Sequence, residues 1–369
     1  MDFSFTEEQE TVGKVARQLF EHRATPERLT ELESGQIRHD DALWRELAAS
    51  DLLGIALPES VGGSGGDFLE LCVLLTEVGW SVAPVPVYAT LALGADTIAR
   101  QGDSDLHQKY LPKVISGDTI LTAALTEANN SDPTSPRTTA RPEGDNTWIL
   151  TGSKELVPAA QLADAIVVSA QADDGPGLFV VDTTADGVTV TPAGITNGEP
   201  YGDVEFVGAV GSRLGAGGSN AVADLYNRAL VGLCAIQTGV TERALKIAAA
   251  YTSEREQFGR PIGSFQAVQQ RLADAFIDVE SIRWTTWHAA WLIAEGRPAA
   301  RDAAIAKFWA AEAGARVVAS AQQVHGGMGI DITYPVHRYF LWAKQIELSL
   351  GSAPQQLVRL GASYPEGLK

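Results

Sequence analysis

The hydrophobic period of this chain changes twice, and that change limits the folds open to it more than any single residue does. Up to about residue 117 apolar side chains recur at helical spacing. Thr6 and Gln9 form a capping box ahead of Val12, Val15, Ala16, Leu19 and Phe20, and residues 40–53 read as a second amphipathic helix. The Gly-rich run 62–66 has neither a following Lys-Ser/Thr nor a preceding parallel strand, so it reads as an interhelical turn. From Thr119 the text becomes strand-like, with β-rich runs at 119–123, 147–151, 165–168, 178–181 and 188–190, punctuated by Gly, Pro, Asp and Asn. Such spacing predicts an antiparallel barrel or sandwich of roughly a hundred residues. Beyond residue 218 long helices return. The fold class is therefore α+β, with an N-terminal helical domain (1–117), a middle β domain (118–217) and a C-terminal helical bundle (218–369).

Composition narrows the function. A net charge of −18 repels polyanions, which disfavours nucleic acid and anionic membrane as partners. No run of eighteen apolar residues exists to span a bilayer, and the first residues lack the basic and apolar regions of a secretory signal. Cys72 and Cys234 lie in apolar helical text and read as buried free thiols of a cytoplasmic protein, with no metal site implied.

Residues 255–266 join two long helices by a short Gly/Pro link. Arg255 stands three residues before Phe258-Gly259, and Gln266 re-enters helix, which offers a guanidinium fork and an amide suited to a pyrophosphate. The stretch resembles the signature of the acyl-CoA dehydrogenase family, in which this arginine and phenylalanine contact FAD across a subunit interface. Three more segments are similar to family motifs. Leu125 to Pro133 resembles the flavin-facing loop, where the hydroxyls of Thr126 and Ser131 can bond flavin or phosphate oxygens, although Ala128-Asn129-Asn130 departs from the usual proline and small residues. Thr151 to Pro158 matches the second flavin strand less well, with Leu156 and Pro158 in place of tryptophan and threonine. Gln323, Gly326 and Gly327 lie in a stretch resembling the one that cradles a neighbour's FAD, and His325 between them needs no catalytic role. Trp284, Trp287 and Trp291 share one helical face and read as core or subunit-interface packing.

The resemblance also implies an acyl-CoA substrate, electron-transfer flavoprotein as acceptor, and a glutamate base that removes the α-proton. Aligned through Lys344, Glu347 and Gly351, the base position falls on Leu350, which cannot take a proton. Residues 225–239, where some relatives carry the base instead, contain no acid; Asp224 and Glu242 flank them. The chain thus resembles the base-lacking subunit of actinobacterial heterotetrameric acyl-CoA dehydrogenases of steroid side-chain degradation, whose homologous partner brings the base. A self-sufficient homomer with a relocated base, such as Asp224, and a non-enzymatic scaffold of the same fold are the alternatives.

Overall fold

The computed structural model describes residues 4–144, 146–216 and 219–364. Helix α1 (Glu7–Arg23) starts at the expected capping box, with Thr6 N donating to Gln9 Oε1 at 3.1 Å and Gln9 N to Thr6 Oγ1 at 3.2 Å. After α2 (Pro26–Glu33), α3 (Asp41–Ala49) is capped by the Asp40 carboxylate, which accepts from Leu43 N at 3.2 Å. The helix expected over 40–53 stops early. Asp51 takes a left-handed φ of 58°, and Leu52–Gly54 forms a separate 3₁₀ turn. Then come α4 (Phe68–Ser81), a buried π-helical stretch (Tyr88–Ala95), α5 (Asp96–Gln101) and α6 (Ser104–Ile115).

Seven strands follow: β1 (Leu121–Ala124), β2 (Thr139–Gly144), β3 (Thr147–Val157), β4 (Ala165–Ala172), β5 (Gly175–Asp182), β6 (Val188–Pro192) and β7 (Gly202–Leu214). β4 pairs with β5, β5 with β7, β7 with β3, β3 with β2, and β2 returns to β4 through Thr139 and Gln171. The ring of pairings closes, so its five strands have no open edge, while β1 and β6 attach to β4 and β7. Inside it Leu150, Ile166, Val168, Phe179, Val181 and Phe206 form one core, as alternating inward residues should. Two pairings differ from the antiparallel expectation: β1 runs parallel to β4, Leu121 against Ala165, and β2 meets β4 in parallel at Thr139 and Gln171. The intervening β2–β3 hairpin makes the connection from β1 to β4 long enough to allow the first.

The C-terminal helices are α7 (Ser219–Glu254), α8 (Gln266–Ala294), α9 (Ala300–His325), α10 (Val336–Leu348) and α11 (Ala353–Ala362), with a two-residue-per-strand hairpin, β8 (Glu256–Gln257) and β9 (Arg260–Pro261), between α7 and α8. Two compact units result. The first holds the described residues to Leu19, Glu27–Leu71 and Pro84–Ala229; the second holds Phe20–Pro26, Cys72–Ala83 and the described residues from Leu230 onward. Among the described residues no helix is long and apolar enough to cross a membrane.

Within the second unit α4 and α7 approach backbone to backbone. A Cβ at Gly239 would lie 1.9 Å from the Thr76 carbonyl oxygen, and one at Gly79 would lie 2.0 Å from that of Ile236. These atoms are main chain, so no side-chain rotation relieves the clash. Gly239→Ala is expected to cost at least the 1–3 kcal/mol typical of overpacking, seen as a lowered urea midpoint; an unchanged midpoint would contradict this contact.

Candidate functional site

The last turn of α7 carries its register into the β8–β9 hairpin: Arg255 N donates to Tyr251 O, and Ile262 N returns to Arg255 O, both at 2.8 Å. Gln257 pairs with Arg260, which leaves Phe258-Gly259 as a two-residue loop. Both loop residues have positive φ, 54° and 76°, the requirement of a type I′ turn. Glycine meets it without strain, whereas phenylalanine is an outlier there. The ring so presented is 94% exposed and makes an edge contact to Phe265 at 6.1 Å, over which Arg260 sits at 4.3 Å. A strained backbone holding an aromatic ring out into solvent marks a surface built to meet something else. Arg255 is exposed beside it, and its guanidinium makes no ion pair or hydrogen bond among the described residues.

The second segment arrives from α9. His325 is 3% exposed, stacks on Tyr251 at 4.3 Å, and bonds Ala321 O at 2.6 Å and the Tyr334 hydroxyl at 3.2 Å. Burial pushes its pKa down, so it is a neutral packed side chain. Tyr251 lies one turn before Arg255, and His325 directly precedes Gly326-Gly327. Their stack therefore fastens the end of α7 to the end of α9. A Cβ on either glycine would meet nothing within 4 Å, so the backbone there is open to a ligand. Gln323, in the last turn of α9, and Gln266, the first residue of α8, are both exposed. An unpaired guanidinium, an open Gly-Gly turn, two amides and a bare aromatic ring fit a pyrophosphate-bearing cofactor with a ring system. Trp284 and Trp291 are 49% and 39% exposed, on a surface face of α8 and not in the core.

Thr126 and Ser131 belong to the first unit, on the loop after β1. Thr126 is half-buried, its carbonyl accepting from Glu155 N at 2.9 Å, and Ser131 is exposed. Between them the residue that organises the loop is Glu127, which sequence reasoning passed over. Its carboxylate accepts from Lys154 Nζ (2.7 Å), Thr138 N (2.9 Å), Arg137 N (2.7 Å) and Asn130 Nδ2 (3.1 Å). Lys154 also donates to Ser169 Oγ at 2.9 Å and is wholly buried. The available signal was alternation: Lys154 shares the inward period of β3 with Leu150. Burial alone would raise the Glu127 pKa, but the Lys154 ammonium and the amide donors outweigh it and hold it at about 2; burial brings Lys154 down to about 8 despite that carboxylate. On β3, Leu156 is 46% exposed at a left-handed φ of 52°.

Leu350 also sits at a left-handed φ, 53°, in the turn after α10. Buried Lys307 donates to Glu347 O at 3.2 Å and Gly351 O at 3.0 Å, while buried Gln356 donates to Leu350 O at 3.1 Å. The acids singled out in sequence are engaged elsewhere. Asp224 accepts from Arg100 Nε at 3.3 Å and Arg228 Nε at 3.2 Å; Glu242 pairs with Arg283 at 2.7 Å; Glu347 pairs with Lys344.

Three family models match the chain in order: the N-terminal domain of acyl-CoA dehydrogenase over residues 6–118, its middle domain over 122–207 and its C-terminal domain over 217–363. Acyl-CoA dehydrogenase FadE27 of Mycobacterium tuberculosis is 40% identical over 375 residues, with 99% of each chain covered. Among solved structures, a chain of the ChsE4-ChsE5 complex from Mycobacterium tuberculosis superposes with a TM-score of 0.94 at 41% identity, covering 99% of this chain and 100% of the other. A chain of the Tcur3481-Tcur3483 steroid ACAD gives 0.92 at 43% identity, covering 96% and 97%.

The Glu127 shift has a definite sign. Its folded pKa lies below the unfolded value of 4.5, so its stabilisation is fully present above that pH and is lost as pH falls toward about 2. The wild-type chain is expected to lose thermal stability over that window more steeply than Glu127→Gln; parallel profiles would show that the carboxylate is not so held.

Proposed function

The chain is a member of the acyl-CoA dehydrogenase family, and from that premise we propose that it is the base-lacking, FAD-contacting subunit of a heteromeric acyl-CoA dehydrogenase. The observation that carries this reading is the exposed Arg255–Phe258 hairpin pinned beside an open Gly326-Gly327 turn. A self-contained site would enclose these groups; their exposure supports a cofactor shared with another subunit. FAD, when bound, supplies a hydride acceptor for α,β-dehydrogenation of an acyl-CoA thioester. Arg255 would hold the pyrophosphate, Phe258 would offer a ring to the cofactor, Gln266 and Gln323 would offer amides, and Gly326-Gly327 would leave open backbone for it. Thr126 and Ser131 form the hydroxyl edge of this chain's own flavin-facing loop. The three-part division at 1–117, 118–217 and 218–369 is the working partition of these roles.

The α-proton is removed by a homologous base-bearing subunit. Leucine at 350 has no lone pair to accept it, and the Asp224 carboxylate is engaged by the guanidiniums of Arg100 and Arg228. Electrons leave to electron-transfer flavoprotein. The acyl group is bulky and steroid-derived, as the name of the Tcur3481-Tcur3483 steroid ACAD suggests for a relative this similar. Buried Cys72 and Cys234, the latter with its thiol pushed up to about 12 by burial, suit a cytoplasmic protein. The exposed tryptophans of α8 then lie in a subunit interface.

Arg255→Ala is expected to release FAD from the assembled complex with the far-UV circular dichroism unchanged, and Arg255→Lys to release part of it, because a point charge replaces a planar fork. Stoichiometric flavin on the Ala variant after gel filtration would sink the assignment. Phe258→Gly separates strain from function. Glycine relieves the left-handed φ, so the unfolding midpoint should hold or rise slightly while flavin retention falls; retained flavin would remove Phe258 from the site.

A further inference from the structure

We infer that the buried Glu127–Lys154 pair is a positioning clamp for residues 127–138, and through them for the hydroxyls of Thr126 and Ser131. Both side chains lie almost wholly inside the β unit, at 4% and 0% exposure. Taking two charges out of water is expensive, and an apolar pair of similar volume usually serves stability as well or better. What an apolar pair cannot do is accept hydrogen bonds. One carboxylate here takes the amides of Arg137 and Thr138 at the far end of the loop and the Asn130 side chain in its middle. Lys154 fixes that carboxylate from within the barrel and is itself fixed by Ser169 Oγ, which reaches back to Ala124 O at 3.4 Å.

Several weaker bonds then shape the loop around this anchor. Asn130 N donates to Glu127 O at 3.2 Å and Asn130 Nδ2 to Ser135 O at 3.0 Å, while the Arg137 guanidinium reaches Asn129 O at 3.0 Å. Asn129 is driven to a left-handed φ of 53°, a conformation that asparagine tolerates better than most side chains. The Ala128-Asn129-Asn130 sequence is thereby accounted for: the loop closes on a carboxylate through asparagine. What the clamp serves rests on the reading of Thr126 and Ser131 as flavin contacts; the clamp itself does not.

Trypsin acting on the native full-length chain reports the clamp directly, because the bond after exposed Arg137 leads to the Thr138 amide that Glu127 holds. Lys154→Met is expected to raise cleavage there at least ten-fold. Glu127→Leu combined with Lys154→Met keeps the test decisive if the single variant folds poorly. It should regain the thermal midpoint, yet remain cleaved at least ten-fold faster than wild type, since its loop amides have no acceptor. Glu127→Gln with Lys154→Met, which keeps one oxygen acceptor, should fall between. Cleavage of the double apolar variant at the wild-type rate would overturn the clamp. A parallel FAD titration, followed by quenching of flavin fluorescence, should show at least ten-fold weaker binding. Fast cleavage with unchanged FAD affinity would support the clamp and remove Thr126 and Ser131 from the cofactor site.

Discussion

The stack of Tyr251 on His325, at 4.3 Å between ring centroids, does for the C-terminal unit what no local interaction can. It joins the ends of two helices that are far apart in sequence, and the groups proposed to meet the cofactor hang from those ends. Arg255 and Phe258 follow the tyrosine by one turn and a hairpin strand; Gly326 and Gly327 follow the histidine directly. The Tyr334 hydroxyl and the Ala321 carbonyl take up both ring nitrogens, so the imidazole is buried without an unsatisfied polar atom. A buried neutral histidine in this place is a fastener for the backbone and side chains on either side of it.

Two further pieces of local architecture hold costly conformations. Phenylalanine 258 and leucine 350 both occupy left-handed backbone, where a side chain costs on the order of 1–2 kcal/mol. At Phe258 the surrounding I′ hairpin imposes it. At Leu350 the bracing groups are Lys307 and Gln356, both wholly buried, which donate to the carbonyls of Glu347, Leu350 and Gly351. Lys307 is held by carbonyl oxygens at the end of α10, and burial lowers its pKa to about 8. The turn is thus braced by buried polar groups, and the side chain it carries at Leu350 has no acid–base chemistry of its own.

Much of this was legible in sequence. The two changes of hydrophobic period gave the α+β order, and the spacing of Arg255, Phe258 and Gln266 pointed to a charged bend between helices. The Thr6–Gln9 box appears as drawn. What escaped was whatever depended on residues distant in the chain. Glu127 and Lys154 are unremarkable polar residues in their own segments, and only barrel closure buries them together. The parallel β1–β4 pairing needed knowledge of the crossover. The early end of α3 turned on one residue, Asp51, whose left-handed φ the apolar pattern does not signal. The buried stretch Tyr88–Ala95 has no polar face, so its periodicity could not mark it as π-helical.

The central claim is that this chain contributes to a flavin site without being able to remove the substrate's proton. Adding acyl-CoA anaerobically to the FAD-reconstituted chain, with no partner present, and following the visible flavin absorbance tests it most directly. Loss of a general base removes a factor of about 10²–10⁴ from such a step. The flavin is expected to stay oxidised, and to bleach only once a base-bearing homologous subunit is added. Rapid bleaching by the wild-type chain alone would contradict the claim and place an active base within it.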